Sequence, residues 1–377
     1  MEWYENQDVR MFTTTAEKYA SFCQRWGKAE HIVERVDVES FNWELVSEAG
    51  RAGLLTAPLP QNVGGAGLGW ITQAVIMERM SRGMASTSAI IAVHWTGICS
   101  LLTEGVKHNV ENWLEEMEKH STDDHPFLCG VAFPFMVWDE SEGVFPLLTK
   151  GQNGLVLHGD FIAPLHPGIC DKVVLPALTQ DGNAISLWLN GSELLDFCSP
   201  IYPGSGLLEI PMCRLDITEF RVKDLQVFAS GELAKLVNTR FRRALYLFLS
   251  AVQVGNAQEA ISYAREYAKE RFQTGRPIIA HQEVARMLEE MGMIMEASRA
   301  MVFSCAGESD FAVGEKRSQR VFSFVAEACE KICLDAVQLL GGYGYMKDYP
   351  LERRLRDSKT LQLLLGGRVS EWIGRNW

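Results

Sequence analysis

The sequence predicts an α+β protein in three consecutive parts: a helical N-terminal part, a central antiparallel β-sheet and a C-terminal helical bundle. Three observations carry this. Up to residue 125 apolar residues recur three and four apart with charges between them. Between residues 126 and 235 short β-leaning runs alternate with Gly, Pro, Asn and Asp. From residue 236 the helical period returns in long segments. The expected domains are therefore 1–125, 126–235 and 236–377. A chain of 377 residues is too long for one ordinary core, which agrees with several packed units.

In the first part the segments AEKYASFCQRW, WELVSEAGRAGLL, WITQAVIMERMSRGM and NVENWLEEMEKH read as amphipathic helices. The interruption at 59–69, LPQNVGGAGLG, reads as a glycine-rich turn joining two of them. In the second part FLCGVAF, GLVLHGDFI, KVVLPALT, AISLWLN and TEFRVKDLQVFA read as strands of a compact antiparallel sheet. In the third part three segments, starting at Arg243, His281 and Ser318, are apolar on more than one face. Helices of that kind are buried in a bundle or between subunits.

Hydrophobic residues make up 47% and charged residues 22% of the chain, an ordinary globular composition. A net charge of -12 argues against nucleic acid or an anionic membrane surface as a general partner, and no apolar run approaches a membrane span. The first residues have neither the basic nor the apolar region of a secretory leader, and the nine cysteines include no C-x-x-C pair, so a reducing, cytoplasmic setting is expected. Cys329 and Cys333, one helical turn apart, lack two further ligands nearby and are expected to be buried thiols; no metal is expected.

The order of parts and several long strings resemble the flavin-dependent acyl-CoA dehydrogenase family. AGLLTAPLPQNVGGAGLGWITQAVIMERMSRGMAST resembles its glycine-rich loop and following helix, AREYAKERFQTGRPIIAHQEVARMLEEM its R-x-x-F-G-x-P-I segment, and DAVQLLGGYGYMKDYPLERRLRDSKTLQ its Q-x-x-G-G-x-G-Y…P-x-E-R…R-D segment. The resemblance implies the family fold, whose C-terminal part is a four-helix bundle. It also implies FAD as cofactor, an acyl-CoA substrate, and a homo- or hetero-tetramer in which a neighbour's last domain grips the adenosine and pyrophosphate half of the flavin. Onto this sequence it carries Arg271 as a bidentate pyrophosphate donor, with Gln273 and Thr274 beside it. It likewise carries Gln338 as an amide, and Gly341 and Gly342 as backbone that nothing shields. Thr274 stands where the family usually has Phe. Singly, Arg271 reads equally as half of a surface ion pair, and the glycines as a helix C-cap.

Dehydrogenation needs a carboxylate to remove the α-proton. Lined up from Arg356 and Asp357, the family's Glu position holds Leu365, followed by Gly366 and Gly367; the alternative position on the first long helix of the last domain holds Leu245, beside Tyr246. The family's glycine loop corresponds to FPFMVWDE at 133–140, with Phe135, Met136 and Trp138 in place of glycine. Ala163 replaces the flavin-covering Trp and Leu165 the Thr that bonds flavin N5. Arg242 and Arg243 lie about a turn before the position of the CoA-phosphate arginine, and are expected to contact substrate.

The losses face the ring and substrate; what is kept faces a neighbour's flavin. The leading expectation is therefore the non-catalytic subunit of a heteromeric α2β2 acyl-CoA dehydrogenase whose Glu-bearing paralogue forms the α,β-unsaturated acyl-CoA. Two readings stay open beside it. One is a homotetrameric flavoenzyme with base-free or decarboxylating chemistry, or with a base drawn from Asp139 or Glu140, although the acidic cluster Asp139, Glu140 and Glu142 reads first as a solvated loop face; the other is a flavin-free scaffold. His94 is expected to be a satisfied structural histidine, His281 and Gln282 to be polar contacts at a subunit interface, and Trp372 and Trp377 to fill space near a flavin or in the tetramer core.

Overall fold

The helical spacing of the N-terminal part produces α1 (Gln7–Lys28), α2 (Trp43–Arg51), α3 (Trp70–Ser81), α4 (Ala85–Leu101) and α5 (Val110–Lys119). The computed structural model describes residues 7–28, 36–106, 110–134, 147–151, 154–200 and 206–365. Asn42 starts α2 by accepting the Glu44 N–H on its side chain, 3.1 Å away. Helix α4 is buried along its whole length, as a helix apolar on every face must be. The glycine-rich segment between α2 and α3 folds into a short 3-10 turn at Gln61–Val63.

The β-leaning runs become β1 (Cys129–Val131), β2 (Phe133–Pro134), β3 (Leu147–Gly151), β4 (Gly154–Ala163), β5 (Lys172–Thr179), β6 (Ala184–Asn190), β7 (Cys198–Pro200), β8 (Cys213–Val222) and β9 (Val227–Ser230). They form one sheet in the order β7-β8-β4-β3-β5-β6-β9, with β1 added against β5 and β2 against β4. The expected all-antiparallel sheet is corrected on one point: β5 pairs parallel with both β1 and β3. Parallel neighbours need a long connection, and the chain supplies one by laying down β2, β3 and β4 between β1 and β5. The run at 218–229 splits in two, because a 3-10 turn at Asp224–Gln226 separates β8 from β9.

The C-terminal part contains α6 (Glu232–Glu270), a hairpin of β10 (Phe272–Gln273) and β11 (Arg276–Pro277), then α7 (Gln282–Ala306), α8 (Phe311–Leu340) and α9 (Leu351–Leu364). The four helices form the expected bundle, and α6 also packs against α3 and α4. A polar seam joins α6 to α9. The Gln253 amide donates to the Ser358 carbonyl at 2.9 Å while the Ser358 hydroxyl donates back at 2.8 Å. Asn256 donates to the Arg354 carbonyl at 2.9 Å and accepts from its guanidinium at 3.1 Å. Arg354 also donates to the carbonyl of Arg82 just beyond α3, at 2.7 Å. From the other face of α9, Asp357 accepts the Leu207 N–H at 2.7 Å and Thr360 that of Gly206 at 3.1 Å, which fastens the loop between β7 and β8.

At the crossing of α6 and α3, Gly255 lets the two backbones touch: a Cβ there would lie 2.0 Å from the Glu78 carbonyl oxygen and 2.1 Å from Ser81 Oγ. Gly255→Ala should therefore cost about 1–3 kcal/mol, the usual size of overpacking in a rigid core, read as a lowered midpoint in urea unfolding with an unchanged slope.

Candidate functional site

Helix α6 ends where Arg271 leaves the helical conformation, its N–H still bonded to the Tyr267 carbonyl at 2.9 Å. The chain then doubles back through Thr274 and Gly275, at φ 50° and 81°. Two successive left-handed residues match the primed turns that join two-stranded hairpins, and a β-branched Thr in that conformation is a true outlier. At the end of α8, Gly341 adopts φ 60° and turns the chain into a 3-10 segment, Gly341–Tyr345. The Arg271 guanidinium lies 5.8 Å from the centre of the Tyr343 ring, so the two segments meet.

The structure thus brings Arg271, Gln273, Thr274, Gln338, Gly341 and Gly342 to one end of the bundle, and all six are exposed. A Cβ added at Gly275, Gly341 or Gly342 would meet nothing of this chain within 4 Å. Among the described residues no carboxylate pairs with Arg271. An unshielded backbone beside a guanidinium without an ion pair suits a phosphate-bearing ligand approaching from outside the chain. Tyr343 is a member of this group that the sequence reading passed over. Its signal was there, in the aromatic pattern of GGYGY, but only the fold shows that it stacks under Arg271.

The two positions expected to hold a base lie elsewhere. Leu245 is 3% exposed within α6, and Leu365 is 8% exposed at the end of α9. Burial pushes the neighbouring Tyr246 phenol up to about 12, so it is protonated at neutral pH and offers no base either. Leu245 and Arg271 are 26 residues apart on one helix, about 39 Å at 1.5 Å per residue. That exceeds the span of an extended dinucleotide. Ala163, at the end of β4, and Leu165 just beyond it are fully buried, and neither offers an indole or a hydroxyl.

Arg242 is ion-paired with Glu315 at 2.9 Å, and Arg243 is 1% exposed, donating to the Glu308 carbonyl with its guanidinium 4.9 Å over the Trp70 ring. Both arginines are thus engaged inside the chain. The His281 ring faces Arg276 and the Gln273 carbonyl and so buttresses the hairpin, while Gln282 opens α7. Cys329 and Cys333 are fully buried on α8. Phe135, Met136, Trp138, Asp139, Glu140, Glu142, Gly366, Gly367, Trp372 and Trp377 lie outside the described residues. One further cluster, His166 with Cys198 and Cys213, was not legible in the sequence, because its members come from three separate strands or strand ends.

Comparison with known proteins matches residues 7–120 to the model of the acyl-CoA dehydrogenase N-terminal domain and residues 246–368 to that of the C-terminal domain. An acyl-CoA dehydrogenase of Bacillus subtilis is 29% identical over 352 residues, covering 90% of this chain and 89% of its own. Among solved structures, butyryl-CoA dehydrogenase of Megasphaera elsdenii superposes with a TM-score of 0.78 at 20% identity, covering 98% of this chain and 97% of its own. A chain of the ChsE4–ChsE5 complex of Mycobacterium tuberculosis does so with a TM-score of 0.80 at 17% identity, with the same coverage. At these identities the superpositions establish the fold.

His94 gives this region a pH signature. On α4 it is 1% exposed, its Nδ1 accepts the Cys129 N–H at 2.9 Å, and the ring donates to the Leu55 carbonyl. It is therefore a satisfied structural histidine, and burial depresses it from 6.5 to about 4. The folded state disfavours the proton, so this contribution is fully present above pH 6.5 and is lost as pH falls from 6.5 to about 4, on the order of 3 kcal/mol in all. Urea unfolding of the protein and of His94→Gln across that range should show the wild-type advantage shrinking as pH falls. A constant difference would contradict the assignment.

Proposed function

Because this chain belongs to the acyl-CoA dehydrogenase family, whose members are FAD-dependent oxidoreductases, we propose that it is the non-catalytic subunit of a heteromeric acyl-CoA dehydrogenase. In this reading a paralogous partner supplies the carboxylate base and the ring-binding face, and this chain supplies the grip on the partner's FAD. The observation that carries it is the separation of the exposed Arg271 from the Leu245 base position by about 39 Å of helix, with leucine at both base positions. The grip and the missing base belong to different cofactor sites.

FAD, when bound, would supply the acceptor for the hydride of the acyl β-carbon. This chain's own residues do the rest of the holding. Arg271 presents two parallel N–H donors to a pyrophosphate, and Tyr343 beneath it limits the conformations that guanidinium can adopt. Gly341 and Gly342 let main chain approach the phosphate and adenosine without a side chain between. Gln338 and Gln273 present amides at the rim. The hairpin holding Gln273 is kept in its strained turn by the His281 contacts. Removal of the α-proton falls to the partner's carboxylate. The ChsE4–ChsE5 complex, a structural neighbour made of two named chains, supports the reading by example.

Purified alone, the chain should carry little flavin and should not oxidise acyl-CoA; co-produced with a Glu-bearing paralogue it should yield a yellow, active assembly. In that assembly Arg271→Ala should weaken FAD binding roughly 10–100-fold, the loss of a charge-assisted contact of about 1.5–3 kcal/mol, while leaving the assembly intact. A chain that alone binds stoichiometric flavin and turns over acyl-CoA would sink the proposal.

A further inference from the structure

Of the nine cysteines, eight are buried and Cys198 alone is partly exposed. It opens β7, the strand at one edge of the sheet. Cys213 opens β8, and His166 lies in the loop after β4. The two sulfurs and a ring nitrogen of His166 lie within 4.8 Å of one another. The pairing fixes why they meet: Cys198 opposes Leu215 and Cys213 opposes Pro200, so the two thiols are diagonal neighbours on one face. Cys213 also opposes Ala163, which brings the loop after β4, with His166, to the same end of β8.

Surrounding groups favour thiol chemistry over metal binding. Nδ1 of His166 accepts the Gly168 N–H at 3.0 Å, so in the neutral ring the proton sits on Nε2, a donor to sulfur and without a lone pair for an ion. Facing the sulfurs from the other elements are the Leu194 carbonyl, which accepts from Cys198 at 3.4 Å, and the buried Cys170 thiol. The nearest charged neighbour in sequence, Arg214, is ion-paired with Asp160 at 2.7 Å. Asp196, two residues before Cys198, is exposed.

We propose that Cys198 and Cys213 form a dithiol oxidised by hydroperoxides, with His166 positioning and stabilising the attacking thiolate. The Cys198 thiolate attacks the peroxide oxygen and becomes a sulfenic acid, and the leaving alkoxide or hydroxide takes a proton. The Cys213 sulfur then attacks the Cys198 sulfur, the S–S bond forms, and hydroxide leaves with the Cys213 proton as water. Two electrons pass from the sulfurs to the peroxide, which ends as one alcohol or water and one further water. Diagonal residues stand about 7–8 Å apart at Cα, beyond the usual range for a disulfide, so closure must draw β7 toward β8. A three-residue edge strand with a partner on one side only can make that move. The electrostatics agree in direction: hydrogen bonds from Cys213 and His166 lower Cys198, Cys213 is pushed up in return, and the other buried thiols with resolved shifts are pushed up by burial.

The test uses the full-length reduced protein. Iodoacetamide labelling followed residue by residue should show Cys198 titrating below the ordinary thiol value of about 8.5, with its midpoint moving up in His166→Gln. The midpoint is the readout, because a lower pKa also weakens the nucleophile and leaves the neutral-pH rate little changed. Substoichiometric hydrogen peroxide should yield a Cys198–Cys213 cross-linked peptide. Cys213→Ser should instead stop at a sulfenic acid trapped by dimedone on Cys198. A Cys198 midpoint in the ordinary thiol range, oxidation spread evenly over several cysteines, or zinc bound stoichiometrically by these three residues would each overturn the proposal.

Discussion

The polar seam between α6 and α9 is the constraint on which the rest of the architecture depends. Gln253 and Asn256 are fully buried on α6 and have no water to turn to, so each must be matched by α9. Ser358 and Arg354 match them reciprocally. Leaving one member of such a network unpaired costs about 1–3 kcal/mol, so slippage of α9 along α6 by a residue is disfavoured four times over. The same helix then holds the β7–β8 loop through Asp357 and Thr360, and sets where Leu365 falls. Burial raises Asp357, and Arg353 opposes that rise. Arg353 also pairs with Glu209, which accepts from the Ser86 hydroxyl of α4 at 2.6 Å. One chain of polar contacts therefore connects the bundle, the sheet loop and the N-terminal helices.

Given that frame, the division of labour within the chain is a matter of helix length. Helix α6 runs from the sheet to the far end of the bundle, with Leu245 in its first half and Arg271 at its end. A rigid 39-residue helix cannot bring the two together. The space before Gly341 and Gly342 is open, so nothing among the described residues covers the backbone beside Arg271 and Tyr343.

Most of the fold was legible because its elements are long and strongly periodic. The AISLWLN run became β6 residue for residue, and the long C-terminal segments became α6 and α8 with earlier starts and α7 starting one residue later. Short strands were not legible: β3 and β7 carry too few residues for alternation to show. Nor was the parallel pairing of β5, which depends on crossover order and not on any local pattern. At the candidate site, residues marked by glycine and arginine spacing in one stretch could be read ahead. Internal engagement of Arg242 by Glu315 and of Arg243 by Trp70 and Glu308 could not, since those partners come from helices far away in sequence. The same holds for His166, Cys198 and Cys213, brought together only by strand register.

The central claim is that this chain grips a flavin whose chemistry belongs to another subunit. Native mass spectrometry of the assembly isolated from its own cells tests it most directly, because it counts chains and flavins together. The account predicts unlike chains in equal number, with FAD lost on Arg271 substitution in this chain while the chain composition stays the same. A homo-oligomer holding one FAD per chain, unaffected by that substitution, would contradict it.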